Sequence, residues 1–256
     1  MGNDSLWFLF HEDKLLLFDD GTGKHAIPRG QESPLPVQGI GHSIGMHAAL
    51  PCIACGVDSF PADLPCTATD LRSAYSILGA PLYALAGKGF QMVHWDRQSQ
   101  YCSVCGAKTE AATCISKRCP SCGQEIFPHI TNAILALVQR EDSVLLVRGV
   151  SFKGANYGLV AGFLEPGETL EQCVQREVQE ETGLAVGNVT YFGCQPWPYP
   201  SGLMIGFIAD YLHGEIVLQR EELACAEFFQ RGKLPELPRP YSLARRMIDW
   251  WQEAPM

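Results

Sequence analysis

Apolar residues recur along the chain with two different periods. Residues 6–10 and 14–18 are compact apolar runs separated by His11, Glu12 and Asp13, the pattern of two strands joined by a tight turn. Residues 28–51 are rich in Pro and Gly without a clear period and predict loop and short strands. From Asp70 to about Arg97 the spacing lengthens. Leu71, Tyr75 and Leu78, then Leu82, Leu85, Phe90 and Val93, recur as on one face of a helix. Gly79 and Pro81 predict two helices there rather than one. After a short cysteine-rich segment the strand pattern returns. Residues 133–138 and 144–147 flank Glu141 and Asp142 as a second hairpin, and 158–161 reads as a further short strand. Leu170, Val174 and Val178 then mark an amphipathic helix. Thr169 and Gln172 form a capping-box pattern at its start, and Gly183 stands where a glycine would stop it. Strands are expected at 189–192, 203–211 and 215–218, and a last helix at about 242–252. No internal repeat or low-complexity segment is visible in the sequence.

Composition narrows the class. The chain has 256 residues, 46% apolar and 18% charged, which excludes a disordered or coiled-coil protein and leaves room for a substantial core. Without an apolar run of about 18 residues, no membrane span is expected. The start, MGNDSLWFLF, has neither a basic region nor a long apolar region, so no signal peptide is expected. Leu6 stands where a myristoylation signal requires Ser or Thr. Eleven cysteines with no export signal point to a reducing cytoplasm and to metal ligation rather than disulfides. A formal charge of −9 argues against broad coating of nucleic acid. It is compatible with a small phosphorylated ligand held through a metal ion.

Two clusters carry the candidate chemistry. Cys102 and Cys105 form one C-x2-C knuckle, Cys119 and Cys122 a second, and a glycine follows each. Four thiolates brought to one point are the closed tetrahedral set that structural zinc takes. Cys114, without a paired partner, is expected to lie outside the set. Cys52, Cys55 and Cys66 read as structural thiols, and Cys173, Cys194 and Cys225 as small buried residues. In the second cluster, Glu177 and Glu181 are four apart on the predicted helix, with Glu180 beside them and Arg176 positioned to orient Glu180. Glu168 falls at the helix start, where a carboxylate is favoured. Stacked like charges destabilise a helix unless a cation intervenes, and an oxygen-only set suits Mg²⁺ or Mn²⁺.

The segment from Gly162 to Leu184 matches G-x5-E-x7-R-E-U-x-E-E-x-G-U, where U is apolar, at every fixed position, and so resembles the box of the Nudix hydrolases. That resemblance implies an α/β/α sandwich and metal-assisted cleavage of a nucleoside diphosphate linked to another group. It further implies Glu177 and Glu181 as metal ligands, Glu180 as a further ligand or base, and the Ala161 carbonyl as an additional oxygen. Downstream, Gln195, Pro196, Trp197, Pro198, Tyr199 and Pro200 read as a proline-stiffened, extended aromatic loop. Box, cysteine knuckles and this loop together resemble the NADH pyrophosphatase family of Nudix hydrolases, the NudC type, over the whole chain. Cys194, Tyr199 and Gly202 depart from that family's SQPWPFPxS, standing for its first Ser, its Phe and its last Ser.

The likeness implies an α+β N-terminal domain at 1–97, a zinc ribbon at 98–127 and a Nudix domain at 128–256. It adds Glu222 to the Mg²⁺ or Mn²⁺ ligands. Arg72, Phe127, Ser201, Gly202 and Ala244 join residues 195–200 as substrate contacts. The implied activity is hydrolysis of NADH or NAD to AMP and nicotinamide mononucleotide, and removal of NAD caps from RNA 5′ ends, by a cytoplasmic homodimer. The rival readings are a Nudix hydrolase of another dinucleotide such as ADP-ribose, or a non-catalytic zinc-ribbon protein binding nucleotide or nucleic acid.

Overall fold

The computed structural model of the chain describes residues 4–150, 154 and 156–254. Residues 1–3, on which the expectations about a leader and an acyl group partly rest, lie outside that set. The chain divides into two compact units, Met1–His129 with Pro198–Ser201, and Ile130–Trp197 with Gly202–Met256. Among the described residues no helix is long and apolar enough to cross a membrane.

In the first unit, β1 (Ser5–His11) and β2 (Lys14–Asp19) form the expected hairpin, with Phe10 opposite Leu15. The short β3 (His25–Ala26) and β4 (Arg29–Gly30) follow, then β5 (Gln38–His47), β6 (Leu50–Val57) and β7 (Cys66–Asp70). The Pro/Gly-rich region thus holds a ten-residue strand where only loop and short strands were expected. Its glycines do not turn the chain. Gly39 and Gly45 take φ of +69° and +139° where the β5–β6 register slips, so they form bulges inside a strand. The helix α1 (Leu71–Gln98) breaks at Gly79, whose φ of 70° and ψ of 171° separate two pieces as the sequence predicts. Leu6, Phe8 and Phe10 of β1 pack with Leu71, Ala86, Phe90 and Val93 of α1. Leu9, Cys55 and Val57 pack on the other side with Leu35, Phe60 and Leu64.

Three short antiparallel strands, β8 (Glu110–Thr113), β9 (Ser116–Arg118) and β10 (Glu125–Ile126), complete this unit. A buried ion pair fastens them to α1. Lys117 Nζ lies 2.7 Å from Asp96 Oδ1 and donates to the Asp96 carbonyl at 2.8 Å.

The second unit is built from β11 (Thr131–Arg140), β12 (Ser143–Gly149), β13 (Val160–Phe163), α2 (Leu170–Thr182), β14 (Ala185–Trp197), β15 (Gly202–His213), β16 (Leu223–Gln230) and α3 (Leu243–Glu253). The sheet runs β14-β15-β11-β12-β16, with β13 beside β11. Strand alternation sorts its side chains into two layers. Ile134, Ala136 and Val138 pack with Val174 and Val178 of α2, whereas Leu135 and Leu137 pack with Leu243, Met247, Ile248 and Trp251 of α3. This is the expected α/β/α sandwich.

Several boundaries differ from expectation. The strand expected at 158–161 starts at Val160, and Gly158 makes only a single bridge to Val147. The strand expected at 189–192 is the middle of a thirteen-residue strand. Its alternation is obscured by register slips around Asn188, which has φ of +49°, and before Gly193. Residues 215–218 are not a strand. Val217 and Gln219 donate their N–H groups to the carbonyls of Thr182 and Glu181, at 2.9 and 3.0 Å, and so satisfy the end of α2. The edge strand β16 was not anticipated, because only its Leu223 is fully buried and its pattern is diffuse.

The sequence shows no repeat, yet the two units share one strand plan. Hairpin β1–β2 corresponds to β11–β12, and Glu12 and Glu141 take φ of +50° and +52° in their two-residue turns. β1 runs parallel to β6 as β11 does to β15, and antiparallel hairpins β5–β6 and β14–β15 match. β4 pairs with β1 and β7 with β2, as β13 pairs with β11 and β16 with β12. The counterpart of α2 is missing: residues 31–37 alone join β4 to β5.

Lys117→Met should cost about 3–5 kcal/mol, because it leaves the Asp96 carboxylate buried without its cation. His42, 3.9 Å from that carboxylate, is a poor replacement at neutral pH, since burial lowers its pKa. Urea unfolding at pH 7.5 reads the effect. A midpoint equal to wild type would show the pair to be energetically idle.

Candidate active site and metal centre

The Sγ atoms of Cys102, Cys105, Cys119 and Cys122 lie within 4.8 Å of one another. Both knuckles end in a left-handed glycine, Gly106 at φ +74° and Gly123 at +77°. These turns bring backbone amides onto sulfur, as with the Val104 N–H, 3.4 Å from Cys102 Sγ. Backbone N–H groups hold the Cys102 and Cys119 thiols below their ordinary value, Cys119 at about 7. Neighbouring thiols push Cys122 the other way, up to about 12, but four convergent sulfurs still fit a closed zinc site with no position left for substrate. Cys114 is exposed and outside the set. Cys52, Cys55 and Cys173 are buried as expected, and Cys66 and Cys225 are half-buried. Cys194, expected to be buried, is exposed, because it faces outward from β14 at the edge of its sheet.

The carboxylates sit on α2. Thr169 and Gln172 cap its start reciprocally, Gly183 ends it at φ +73°, and Cys173, Val174 and Val178 bury its inner face. One guanidinium organises what remains. Arg176 grips Glu168 with two hydrogen bonds of 2.5 and 3.0 Å, and reaches Glu177 at 2.8 Å, Glu180 at 3.0 Å and the Phe163 carbonyl at 2.9 Å. The sequence pointed to its bond with Glu180; the other partners are its helix neighbour Glu177, Glu168 of the loop and the Phe163 carbonyl of β13. Arg176, together with the Glu165 N–H, holds the Glu168 carboxyl down to about 2. Gly162 lies directly beneath Glu177. A Cβ there would sit 1.8 Å from the Glu177 carboxyl carbon, so only glycine lets this carboxylate lie against β13 beside Ala161.

Glu181 is only 4% exposed, and burial, reinforced by the charges of Glu177 and Glu222, pushes its carboxyl up to about 8. Burial also raises Glu177, with Glu180 and Glu222 adding to the rise against the opposing pull of Arg176. Glu222 is therefore brought to the box from a distant part of the chain. Its backbone is tied to Gln219 at 3.0 Å and to Val150 at 2.8 Å. An oxygen-only set that repels itself fits a hard divalent cation.

The substrate residues expected from the sequence fall into both units. Gln195 clamps the start of α3, donating to the Tyr241 carbonyl at 3.0 Å and accepting from the Leu243 N–H at 2.7 Å, with Ala244 next along. Pro196 and Trp197 are strand residues, paired with Leu203 and Gly202. The loop is thus extended only as far as Trp197. Pro198–Ser201, with a cis bond between Tyr199 and Pro200, is a turn that belongs to the first unit. Arg72, also in the first unit, lies over the Tyr199 ring, 4.3 Å from its centroid. Phe127, in the first unit too, is exposed. A Cβ on Gly202 would lie 3.1 Å from the Trp197 carbonyl, so the family's serine needs a small backbone shift here. One residue was passed over in the sequence. Phe163, directly after Gly162, is 63% exposed, an unusual setting for an aromatic on a strand between apolar layers.

This geometry defines a Nudix-type carboxylate site on an α/β/α sandwich. Family models match accordingly, with a NUDIX domain at residues 128–251, an NADH pyrophosphatase-like rudimentary NUDIX domain at 4–95 and an NADH pyrophosphatase zinc ribbon domain at 97–127. A Nudix hydrolase structure from Nitrosomonas europaea shares the fold, with a TM-score of 0.51 and 21% identity, covering 60% of this chain and 90% of its own. Among curated relatives, the NAD-capped RNA hydrolase NudC of Pseudomonas aeruginosa is 36% identical over 249 residues, covering 95% of this chain and 87% of the relative. The enzyme of that name from Deinococcus radiodurans is 36% identical over 251 residues, covering 96% and 87%. The chain belongs to the NudC family of Nudix hydrolases.

Two outcomes follow from the cysteine cluster and the carboxylate cluster. Purified protein should carry one zinc per chain, and Cys119→Ser should lose it and unfold the small sheet, since zinc binding supplies about 10–16 kcal/mol in comparable small modules. Well-folded protein without zinc by elemental analysis would refute this assignment. In metal-free protein, Glu181 favours its protonated form. Its contribution to stability is full below about pH 4.5 and is lost as pH rises to about 8. Glu181→Gln should abolish that loss and stabilise the metal-free protein at pH 8.5 by about 2–4 kcal/mol. Identical pH dependence of unfolding in the two proteins would place Glu181 outside the buried cluster.

Proposed function

We propose that the chain is a metal-dependent NAD(H) diphosphatase that yields AMP and nicotinamide mononucleotide and also removes NAD caps from RNA 5′ ends. The observation that carries this reading is the full Nudix box with its carboxylates in place, in a chain related over nearly its whole length to proteins named NAD-capped RNA hydrolase. Glu177, Glu181 and Glu222, with the Ala161 carbonyl, would hold Mg²⁺ or Mn²⁺. Such an ion neutralises charge on the diphosphate oxygens and lowers the pKa of an attacking water.

The protein's own groups do the rest. Arg176 keeps Glu177 and Glu180 oriented, and the exposed Glu180 is available as a further ligand or base. Gln195, Pro196, Trp197, Gly202 and Ala244, with Arg72, Phe127 and Pro198–Ser201, form the proposed dinucleotide contacts. Phe163, exposed beside Gly162, offers a further stacking face. The zinc site serves structure only. We assign domains to 1–97, 98–127 and 128–256, and take the working form to be a cytoplasmic homodimer.

Incubation with NADH, ADP-ribose and NAD-capped RNA plus Mn²⁺, followed by product analysis, tests this reading. AMP and reduced nicotinamide mononucleotide from NADH, and a 5′-monophosphate from the capped RNA, are expected, with ADP-ribose turned over more slowly. Glu181→Gln should lower kcat by about 10²–10⁴ in each case. Faster turnover of ADP-ribose than of NADH would reassign the substrate, and unchanged turnover by the variant would refute the site.

A further inference from the structure

We propose that Tyr83 is a positioning residue for the dinucleotide: its hydroxyl fixes Tyr199, and the Tyr199 ring in turn fixes the Arg72 guanidinium. The inference rests on the reading above, in which Arg72 and Tyr199 contact substrate.

All of these groups lie in the first unit, which includes the turn Pro198–Ser201. The hydroxyls of Tyr83 and Tyr199 are 2.6 Å apart, a short and partly buried hydrogen bond between residues far apart in the chain. The Tyr75 ring meets the Tyr83 ring edge-on, with centroids 5.2 Å apart and planes at 84°, which limits how Tyr83 can turn. One turn further along α1, Gly87 leaves room for Pro198, whose Cγ would lie 3.0 Å from a Cβ at that position. The surface of α1 is therefore fitted to the turn at two successive points, by a hydroxyl at 83 and by a missing side chain at 87.

The other side of the Tyr199 ring carries the consequence. Arg72 Cζ stands 4.3 Å from the ring centroid. Arg72 lies in the first turn of α1, beside the N-cap Asp70, whose carboxylate accepts the Arg72 backbone N–H at 2.8 Å. The Tyr199 ring attracts the guanidinium and holds it in one place. A cation so fixed suits an anionic diphosphate. Tyr199 stands where the family motif has phenylalanine, so in this chain the tether depends on a hydroxyl that Tyr199 alone supplies to the bond with Tyr83.

A double-mutant cycle tests the relay. Tyr83→Phe and Tyr199→Phe each keep a ring and remove one end of the same hydrogen bond. The Kd for NADH is measured calorimetrically without divalent metal, and kcat and KM for NADH with Mn²⁺. Each single variant should weaken Kd and KM about 3- to 10-fold with kcat changed less than about twofold. The double variant should be no weaker than either single, and Tyr83→Phe should have no effect in an Arg72→Ala background. Additive losses, a fall in kcat at constant KM, or wild-type Kd in Tyr83→Phe would overturn the proposal. A wild-type protein that binds NADH but does not cleave it sinks the proposed activity alone, and the Kd arm still decides the relay. A wild type that does not bind NADH overturns both.

Discussion

One arginine makes the carboxylate cluster possible. Glu168, Glu177 and Glu180 all bond to the Arg176 guanidinium, which also takes the Phe163 carbonyl and so joins loop, helix and strand at one point. Without this cation the acidic face of α2 would be held only by the apolar contacts of Val174 and Val178 on its far side. The planar fork suits the task as a lysine could not, because several separate oxygens must be met from one fixed plane. Arg176 does not reach every acid, however. Glu181 and Glu222 lie outside its bonds, and there burial, reinforced by the unrelieved repulsion, raises the Glu181 carboxyl to about 8. The protein thus compensates the part of the cluster that shapes the site and leaves uncompensated the part that suits a metal ion.

Much of this could be read from the chain. The cysteine knuckles, the helix with its cap and stop, the kink at Gly79 and the spacing of Glu177 and Glu181 are local features. Each depends on a few neighbouring residues obeying one backbone geometry. What escaped depends on partners far away in sequence. Residues 215–218 have strand composition, yet the open carbonyls at the end of α2 claim the amides of Val217 and of Gln219 just beyond. Gly39 and Gly45 read as loop, although a sheet partner turns them into bulges. The placement of Glu222 beside the box came from likeness to a family, since no periodicity links it to α2. The edge strand β16 buries too little to leave a clear pattern.

The shared strand plan was hidden for a related reason. Strands need only alternation and bulk, so two sheets of the same topology can drift apart in sequence until little is common. The Glu-Asp turns at 12–13 and 141–142 are the visible remnant, at places where a left-handed residue narrows the choice. The first unit keeps the sheet and the closing helix but replaces the acidic helix with residues 31–37. Leu35, Phe60 and Leu64 cover the face that α2 covers in the second unit.

Losing that helix divides labour between two sheets of one design. A unit that must hold ionised groups out of water is tuned for chemistry against its own stability. The matching face of the first unit holds no acidic helix, and there Leu9, Leu16, Cys55 and Val57 are buried together. Substitutions on that face are therefore filtered by packing alone, and it can drift toward whatever sequence folds best while the box of its twin stays fixed.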